Sequence, residues 1–458
     1  MELTAPKIFE NQLPDELKKM SRVFLENGAK LYIVGGFVRD LLMKRTSEDI
    51  DLASGLAVEK VAQILKFAGF ETKQINKRLG TVQIFNKKGF MCEYTTFRKE
   101  SYPEGGAHTP SSVEFIDSLE EDARRRDFTI NAIYYDIIDN KIIDFYNGVA
   151  DINAKIVRAI ETPEHVFEND GLRILRMVRF ASTLMFRIEN DTLNVARQMV
   201  VQLADISRER IAKEMDAIFS LSNAGSIVKR ATTQDNPILT LYDLVWLGAV
   251  EFIFPDMFDY VPHEIFYERF AIFEKRELAA IGVYEILIAL LYLFASLAQV
   301  QFSKLDEFTK AIFGKNGLML NSKTIKEYST YIKAVFESFV LEKQTDKFIP
   351  FIQKYPTVAK RVCVFRTLLI SDPLNAKAHD KIADRLNMTI EYMKKNNIPF
   401  STTDLKVSGT DILDILKINA CDIPSVQKKL FEFATKNCAN TKTLLLKELK
   451  KMGEKKDD

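Results

Sequence analysis

The sequence predicts an α+β chain, with a small mixed-sheet head followed by an all-helical neck, body and tail. Two strand-forming runs separated by a short turn occupy residues 80–98, and other short apolar runs end at turn residues within the first 150 residues. Beyond residue 150, apolar residues recur at helical spacings and hairpin signals are few. We therefore expect a head of 1–150, a neck of 151–230, a body of 231–340 and a tail of 341–458.

Composition places the chain among globular proteins of several domains. It has 458 residues, of which 47% are hydrophobic and 28% charged. The net charge of +1 does not indicate a partner, because a nucleic-acid binder with this balance must cluster its basic residues locally. The four cysteines are scattered without a Cys-x-x-Cys pair, which favours reduced thiols and argues against structural zinc.

Two further features concern membranes and targeting. The N-terminus lacks a basic region followed by an apolar run, so we expect no signal peptide. The most apolar segment, residues 286–300, is short for a membrane span and predicts a buried helix. We therefore expect a cytoplasmic protein without a membrane partner.

A glycine turn stands near the start of the chain. Residues 31–34, Leu-Tyr-Ile-Val, predict a short buried strand, and residues 38–44 predict a helix. Between them, Gly35 and Gly36 let the backbone turn tightly and approach a ligand without an intervening Cβ. The exposed amides at the start of such a helix favour an anion such as a triphosphate.

A carboxylate pair follows the glycine turn. If Ile50 and Leu52 point into the core of a strand, Asp49 and Asp51 lie together on its opposite face. A divalent cation would relieve their repulsion, and Mg²⁺ prefers carboxylate oxygens together with substrate phosphates. Alone, a Gly-Gly pair is often only a turn and Asp-x-Asp a solvated strand end. Their order and spacing together are more specific.

These residues resemble the DNA polymerase β-like nucleotidyltransferase superfamily, and within it the branch of bacterial tRNA CCA-adding enzymes and poly(A) polymerases. The resemblance is dense over residues 31–214 and weaker at 244–248, 254–255 and 405–409. It implies that Asp49 and Asp51 are catalytic and hold Mg²⁺. It also implies that Gly35, Gly36 and Arg39 cradle the triphosphate of the incoming nucleotide.

Glu93 lies among apolar and β-forming residues of a strand predicted over 90–98. An unpaired carboxylate there would be costly. Two interpretations stay open. Glu93 is a third catalytic carboxylate of the metal site, which the resemblance supports, or a glutamate on an edge strand that faces water.

Residues 119–138 contain an Arg-Arg-Asp run beside an apolar stretch that we interpret as helix. From the residues alone this pattern indicates a solvated helix start. The resemblance implies instead that Arg126, Asp127 and Asn131 contact the ribose and triphosphate of the nucleotide.

Residues 167–180 predict an amphipathic helix. Asp170 and Arg173 are three residues apart, and from the residues alone an ion pair at the helix start is the simpler interpretation. The resemblance implies that this pair selects the base. A carboxylate accepts from the amino group of cytosine or adenine and a guanidinium donates to the ring nitrogen, whereas uracil and guanine present the inverse pattern. Arg176 and Arg179 on the same helix are further nucleotide-binding candidates.

Residues 207–214 match a family segment that we interpret as a structural support for this helix. Two departures from the family occur: Asn169 stands where an acidic residue is usual, and the loop 102–112, which we expect to be mobile, lacks an arginine. His379-Asp380 resembles part of a metal-dependent phosphohydrolase, but the other histidines do not complete that pattern. Basic side chains of the helical part, including those between Lys428 and Lys451, are expected to hold tRNA phosphates.

The resemblance implies a template-independent enzyme that adds C and A to the 3′ end of tRNA from CTP and ATP. The alternatives are a poly(A) polymerase, or an enzyme restricted to CC or to A addition. A relative that binds RNA without catalysis is disfavoured by the intact Asp49, Asp51, Arg126 and Asp127. Which nucleotides are added, and which basic residues contact tRNA, stays open at this stage.

Overall fold

The structure is a computed structural model, and the chain divides into two compact units, Met1–Pro255 and Asp256–Asp458. Each unit is treated by itself below. The residues that the structure describes are 2–6, 9, 12–47, 49–102, 110–220, 239–260, 262–274, 288, 291–292, 295–296, 300–343, 347–369 and 376–454.

The first unit is built on an eight-stranded mixed sheet of order β1-β10-β9-β2-β3-β6-β5-β4. Strands β3 and β6 pair in parallel, and the other neighbours are antiparallel. Two small sheets accompany it, β7 with β8 and β11 with β12. The strands are β1 (Glu2–Thr4), β2 (Tyr32–Val34), β3 (Asp51–Ser54), β4 (Glu71–Asn76), β5 (Thr81–Phe85), β6 (Met91–Thr96), β7 (Arg98–Ser101), β8 (Ser112–Phe115), β9 (Ile133–Asp136), β10 (Lys141–Asp144), β11 (Ile156–Val157) and β12 (Arg187–Ile188).

Two amphipathic helices, Asp15–Glu26 and Val58–Phe67, pack against the sheet. Phe24 of the first helix contacts Tyr94 of β6, with ring centroids 5.8 Å apart. Because side chains alternate along a strand, Glu93 of β6 points to the opposite face from Tyr94. The polar residues of β3 and β6 are therefore on the face that this helix leaves uncovered.

The remaining helices of the first unit connect or follow the strands. Asp170 and Gly171 separate the helices Pro163–Asn169 and Leu172–Leu184. We call Leu172–Leu184 the arginine helix because it carries Arg173, Arg176 and Arg179. The others are Gly36–Leu42, Leu119–Arg124, Gly148–Ala154, Asn190–Gln198, Arg208–Ser220, Leu239–Trp246 and Val250–Ile253, with 3-10 turns at Thr129–Asn131 and Val200–Asp205.

The described part of the second unit is helical, as predicted for the region beyond residue 150. Its last three helices enclose a core of Leu430, Ala434, Leu445 and Leu449 with Ile412. No helix among the described residues has the length and apolarity needed to cross a membrane. The helices are His263–Glu274, Leu305–Phe313, Ser322–Ser338, Phe348–Lys354, Ala359–Leu369, Ala376–Lys395, Gly409–Leu416, Ile423–Asn437 and Lys442–Glu454.

The predicted fold class is confirmed, but the region predicted as an all-helical neck also contains strands β11 and β12. Three further local predictions are wrong. The first concerns residues 119–138, which we interpreted as helix. The helix ends at Arg124, a 3-10 turn follows, and Ile133–Asp136 is strand β9, between β2 and β10. All four residues of β9 are buried. A strand covered on both faces is apolar throughout and lacks the alternation that distinguishes it from a helix.

The second error is the single strand predicted over 90–98. The chain bends at Phe97, whose backbone N–H donates to the Ser54 carbonyl, and the two halves join different sheets as β6 and β7. The third is the continuous helix predicted over 167–180. Asp170 adopts an extended conformation, with φ −156° and ψ 104°, which divides the helix in two.

Some predictions fall outside the described residues. They are the glycine-rich part of the loop at 103–109, most of the apolar segment 286–300, and the end of the neck predicted at residue 230. The boundaries near 150, 230 and 340 stay predictions.

Candidate active site

The Asp49 and Asp51 carboxylates lie at the start of β3, and the sequence explains why their side chains are on the same face of the strand. Ile50 and Leu52 are buried, whereas Asp49 is exposed and Asp51 is partly buried, as the predicted alternation requires. In the parallel pair of β3 with β6, Glu93 is the register partner of Asp51, so both carboxylates are on one face. Because β6 is an interior strand, Glu93 is not on a sheet edge, although its side chain is exposed.

The nearby negative charges affect the pKa values of Asp51 and Glu93. Burial, with the neighbouring charges of Asp49 and Glu93, raises the pKa of Asp51 to about 6. Burial and the charge of Asp49 also raise the pKa of Glu93. Within the described ranges, however, no three His, Cys, Asp or Glu side chains are grouped closely enough to hold a metal ion.

The glycine turn lies directly against these carboxylates. Gly35 has φ +78°, a conformation that favours glycine. A Cβ at Gly35 would be 3.8 Å from Asp51 Oδ2 and 3.8 Å from Arg126 Nη1. Any side chain here would therefore narrow the space between a carboxylate and a guanidinium.

These residues open into a cavity of about 590 Å³, which we call the arginine cavity. Twelve of the thirteen site residues predicted from the sequence line it, and Glu93 is the one that does not. Eight arginines and five carboxylates line it, a balance that suits a polyanionic ligand. The lining residues are Gly35, Gly36, Arg39, Asp49, Asp51, Leu79, Arg98, Glu100, Tyr102, Pro110, Arg125, Arg126, Asp127, Asn131, Asp170, Leu172, Arg173, Arg176, Arg179, Phe180 and Arg210.

A chain of hydrogen bonds crosses one wall of the arginine cavity. Arg39 Nη1 donates to Asn131 Oδ1 at 2.8 Å, and Asn131 Nδ2 donates to Asp127 Oδ1 at 3.1 Å. Arg176 Nε donates to Asp127 Oδ2 at 2.8 Å. Burial alone would raise the pKa of Asp127, but the guanidinium groups of Arg176 and Arg173 lower it to about 2. The carboxylate therefore stays charged and fixes its partners in place.

Phe180 of the arginine helix gathers three of the guanidinium groups. Those of Arg39, Arg176 and Arg179 lie 5.5, 5.3 and 4.4 Å from its ring centroid. The aromatic face offsets part of the repulsion between these like charges, so they can stay close together and face an anion.

Asp170 and Arg173 have separate partners in the structure and are not joined to each other through their side chains. Asp170 Oδ2 accepts from Arg210 Nη2 at 2.6 Å, and Asp170 Oδ1 accepts from the Leu172 backbone N–H. The Arg173 guanidinium donates to two carbonyls, that of Arg125 at 2.8 Å and that of Val166 at 3.3 Å. The simpler interpretation of an intrahelical ion pair is therefore not what the structure has.

The segment 207–214 supports the arginine helix in the way the sequence indicated. The Ser207 hydroxyl accepts from the Arg210 backbone N–H, which caps the following helix. Arg210 then pairs with Asp170, and Glu214 accepts from Arg179 Nε at 2.7 Å. Each of these contacts fixes a side chain that faces the arginine cavity.

Sequence reasoning missed five polar residues around the arginine cavity: Arg98, Glu100, Tyr102, Asp122 and Arg125. The signal for three of them was present, because Arg98, Glu100 and Tyr102 alternate at the spacing of a strand. Asp122 is fully buried and pairs with Arg125 and Arg126. It gave no signal, since acidic residues in a first helical turn are usually solvated.

Comparisons with known proteins agree with this architecture. Residues 31–158 match the family described as the Poly A polymerase head domain, and residues 185–260 match a probable RNA and SrmB-binding site of polymerase A. The chain is 41% identical over 210 residues to a CCA-adding enzyme of Ligilactobacillus salivarius and 38% identical over 213 residues to one of Bacillus subtilis. These alignments cover 45% and 46% of this chain, and the chain spans about half, 50%, of each relative.

Solved structures share the fold over nearly the whole chain. A Bacillus stearothermophilus CCA-adding enzyme in complex with CTP has a TM-score of 0.57 at 24% identity, and the match covers 97% of this chain and 98% of that one. A Thermotoga maritima CCA-adding enzyme complexed with tRNA has a TM-score of 0.61 at 19% identity, with 98% of both chains covered. At this identity the match establishes the fold.

Proposed function

We propose that this chain is a member of the family of bacterial CCA-adding enzymes and poly(A) polymerases, and that it adds C and A nucleotides to the 3′ end of tRNA from CTP and ATP. One observation carries the proposal. A single cavity joins the Asp49 and Asp51 carboxylates to eight arginines, with Asp170 and Arg173 in its lining. A nucleoside triphosphate offers a matching polyanion, a ribose and a base edge.

The donor set fits Mg²⁺. Burial, together with the nearby charges of Asp49 and Glu93, opposes ionisation of Asp51, and a divalent cation would relieve the repulsion between these carboxylates. Because no three acidic or other metal-binding side chains are grouped in the described part, the ion would take further ligands from the nucleotide phosphates. Asp49 and Asp51 would hold two such ions, and Glu93 would add negative charge from the neighbouring strand.

The reaction is a displacement at the α-phosphorus of the nucleotide. The 3′-hydroxyl oxygen of tRNA bonds to this phosphorus, the bond to the bridging oxygen breaks, and pyrophosphate leaves. When bound, Mg²⁺ promotes loss of the hydroxyl proton and neutralises charge on the leaving group. Gly35 and Gly36 leave room for the triphosphate, and the guanidinium groups of Arg39, Arg126 and Arg176 would balance its charge.

Asp170 and Arg173 would select the base. Arg210 holds the Asp170 carboxylate in place, and the Arg125 carbonyl holds the Arg173 guanidinium. A carboxylate is a hydrogen-bond acceptor, and a guanidinium donates through several N–H groups. An acceptor beside a donor complements the edge of cytosine and of adenine. Each correct bidentate contact is worth ~1–3 kcal/mol of discrimination.

The helical tail would hold tRNA. Seven lysines from Lys428 to Lys451 have exposed side chains: Lys428, Lys429, Lys436, Lys442, Lys447, Lys450 and Lys451. Contacts from such side chains to phosphates supply affinity without sequence preference. We keep the division into head, neck, body and tail as part of this proposal. We place the protein in the cytoplasm, where its four free cysteines stay reduced.

A poly(A) polymerase, or an enzyme that adds only CC or only A, would use the same chemistry. The glycine-rich stretch at 103–109 and Asn169, where the sequence departs from the family, bear on this choice. Asn169 contacts His165, with 3.1 Å between Asn169 Nδ2 and His165 Nε2.

The test is a gel of tRNA that ends before its CCA sequence, incubated with the purified chain and Mg²⁺. With CTP alone we expect two added nucleotides, with both CTP and ATP three, and with UTP or GTP none. Addition of a long A tract from ATP alone would show a poly(A) polymerase instead. Extension that stops after CC, or that requires tRNA ending in CC, would show a partial enzyme.

A further inference from the structure

Glu100 and Tyr102 lie outside the residues assigned above, yet both line the arginine cavity. Glu100 is in strand β7, and its side chain is 6% exposed. Its Oε1 accepts from Arg98 Nε at 2.6 Å, and its Oε2 accepts from the Tyr102 hydroxyl at 2.5 Å. Both oxygens of this buried carboxylate therefore accept hydrogen bonds.

Glu100 also reaches Arg125, whose Nη1 lies 3.6 Å from Oε1. On its other side, Arg125 Nε donates to Asp122 Oδ1 at 2.8 Å. The Arg125 side chain is thus held between two buried carboxylates, which fixes the backbone of the same residue. That backbone carbonyl is the closer of the two that accept from the Arg173 guanidinium.

From these contacts we infer that Glu100 and Tyr102 are positioning residues for base selection. They act through Arg125, whose carbonyl sets the direction in which the Arg173 guanidinium presents its donors. This inference rests on the proposed function, since it names the residues that make the same site selective.

Charge states agree with the geometry. Burial opposes ionisation of Glu100, but the guanidinium groups of Arg125 and Arg98 lower its pKa, so the carboxylate stays charged. Burial and the charge of Glu100 raise the pKa of Tyr102, so the phenol keeps the proton that it donates. Removing either partner would leave Arg125 less well held.

The test measures kcat/KM for CTP and for UTP on tRNA that ends before CCA. Glu100→Gln keeps the shape of the side chain and removes its charge. We expect the UTP-to-CTP ratio to rise about threefold to tenfold. Tyr102→Phe keeps the Glu100 charge and should give a smaller rise in the same direction. Tyr102→Phe removes only one hydroxyl group, so it can test the inference even if Glu100→Gln fails to fold.

A double mutant separates positioning from other roles. If Glu100 acts through Arg173, adding Glu100→Gln to Arg173→Ala should leave the ratio of the single Arg173→Ala variant unchanged. If the two substitutions changed the UTP-to-CTP ratio independently, so that their effects multiplied in the double mutant, the inference would be overturned. Wild-type ratios in both Glu100→Gln and Tyr102→Phe would also overturn it. A wild-type chain that does not prefer CTP to UTP would instead contradict the proposed function itself.

Discussion

Asp51→Asn is expected to abolish nucleotide addition and, at pH 8, to stabilise the folded protein. The loss of activity follows from its proposed place as a Mg²⁺ ligand beside the glycine turn. Metal stabilisation of transition-state charge is worth several kcal/mol, so we expect a loss of about 10³-fold or more in single-turnover rate.

The gain in stability follows from the pKa of Asp51, which is about 6 in the folded protein against 3.8 for an ordinary aspartate. Folding therefore disfavours the charged carboxylate, and this cost is fully present above pH 6 and absent below about pH 4. The shift corresponds to at most about 3 kcal/mol. Asparagine removes the charge, so its advantage should be largest at pH 8 and should vanish as the pH falls to 4.

Asp49→Asn is the matched control, because Asp49 is exposed. It should lose activity as well and gain little stability. Thermal unfolding at pH 4, 6 and 8, with and without Mg²⁺, makes the comparison. Mg²⁺ should raise the melting temperature of the wild type more than that of Asp51→Asn. Full single-turnover activity in either variant would show that the metal site is not at the start of β3.

Asp122→Ala is expected to destabilise the first unit by about 3–5 kcal/mol, the range for a buried ion pair that loses one partner. Asp122 has no exposed surface, and it accepts from Arg125, Arg126 and the Tyr134 hydroxyl. Alanine would leave two partly buried guanidinium groups without this counter-charge. Urea unfolding followed by circular dichroism measures the change.

The same residue predicts an acid dependence. Burial alone would raise the pKa of Asp122, but the charges of Arg125 and Arg126 lower it to about 2. Its contribution to stability is therefore complete above about pH 4 and is lost as the pH falls toward 2. Asp191→Ala, an exposed aspartate in a first helical turn, is the control and should change stability by less than about 1 kcal/mol. An equally small effect of Asp122→Ala would show that the network is dispensable.

Much of the candidate site was predictable from sequence because its residues come from short contiguous motifs. The alternation that placed Asp49 and Asp51 on one face of β3 depends only on the two-residue period of a strand. The glycine turn and the helix predicted directly after it follow from equally local signals. Twelve predicted residues line one cavity although they come from distant segments. Local patterns do not show that these segments meet, and the family resemblance supplied that information.

The errors have a common physical origin in tertiary context. Strand β9 is buried on both faces, and this removes the alternation that would have distinguished it from a helix. At the break, Asp170 pairs through its carboxylate with Arg210, forty residues later. Glu100 and Asp122 matter through contacts with Arg125, and the pattern of a single segment does not contain such pairings.

Arg173→Ala shows whether Asp170 and Arg173 choose the base. The measurement is kcat/KM for all four nucleotides on tRNA that ends before CCA, with Arg187→Ala, an exposed arginine outside the arginine cavity, as control. We predict that the ratio of UTP or GTP to CTP rises roughly tenfold or more in Arg173→Ala, even if the overall rate falls, and stays at the wild-type value in Arg187→Ala. A wild-type ratio in Arg173→Ala, with activity still measurable, would contradict the claim that the protein selects the base here.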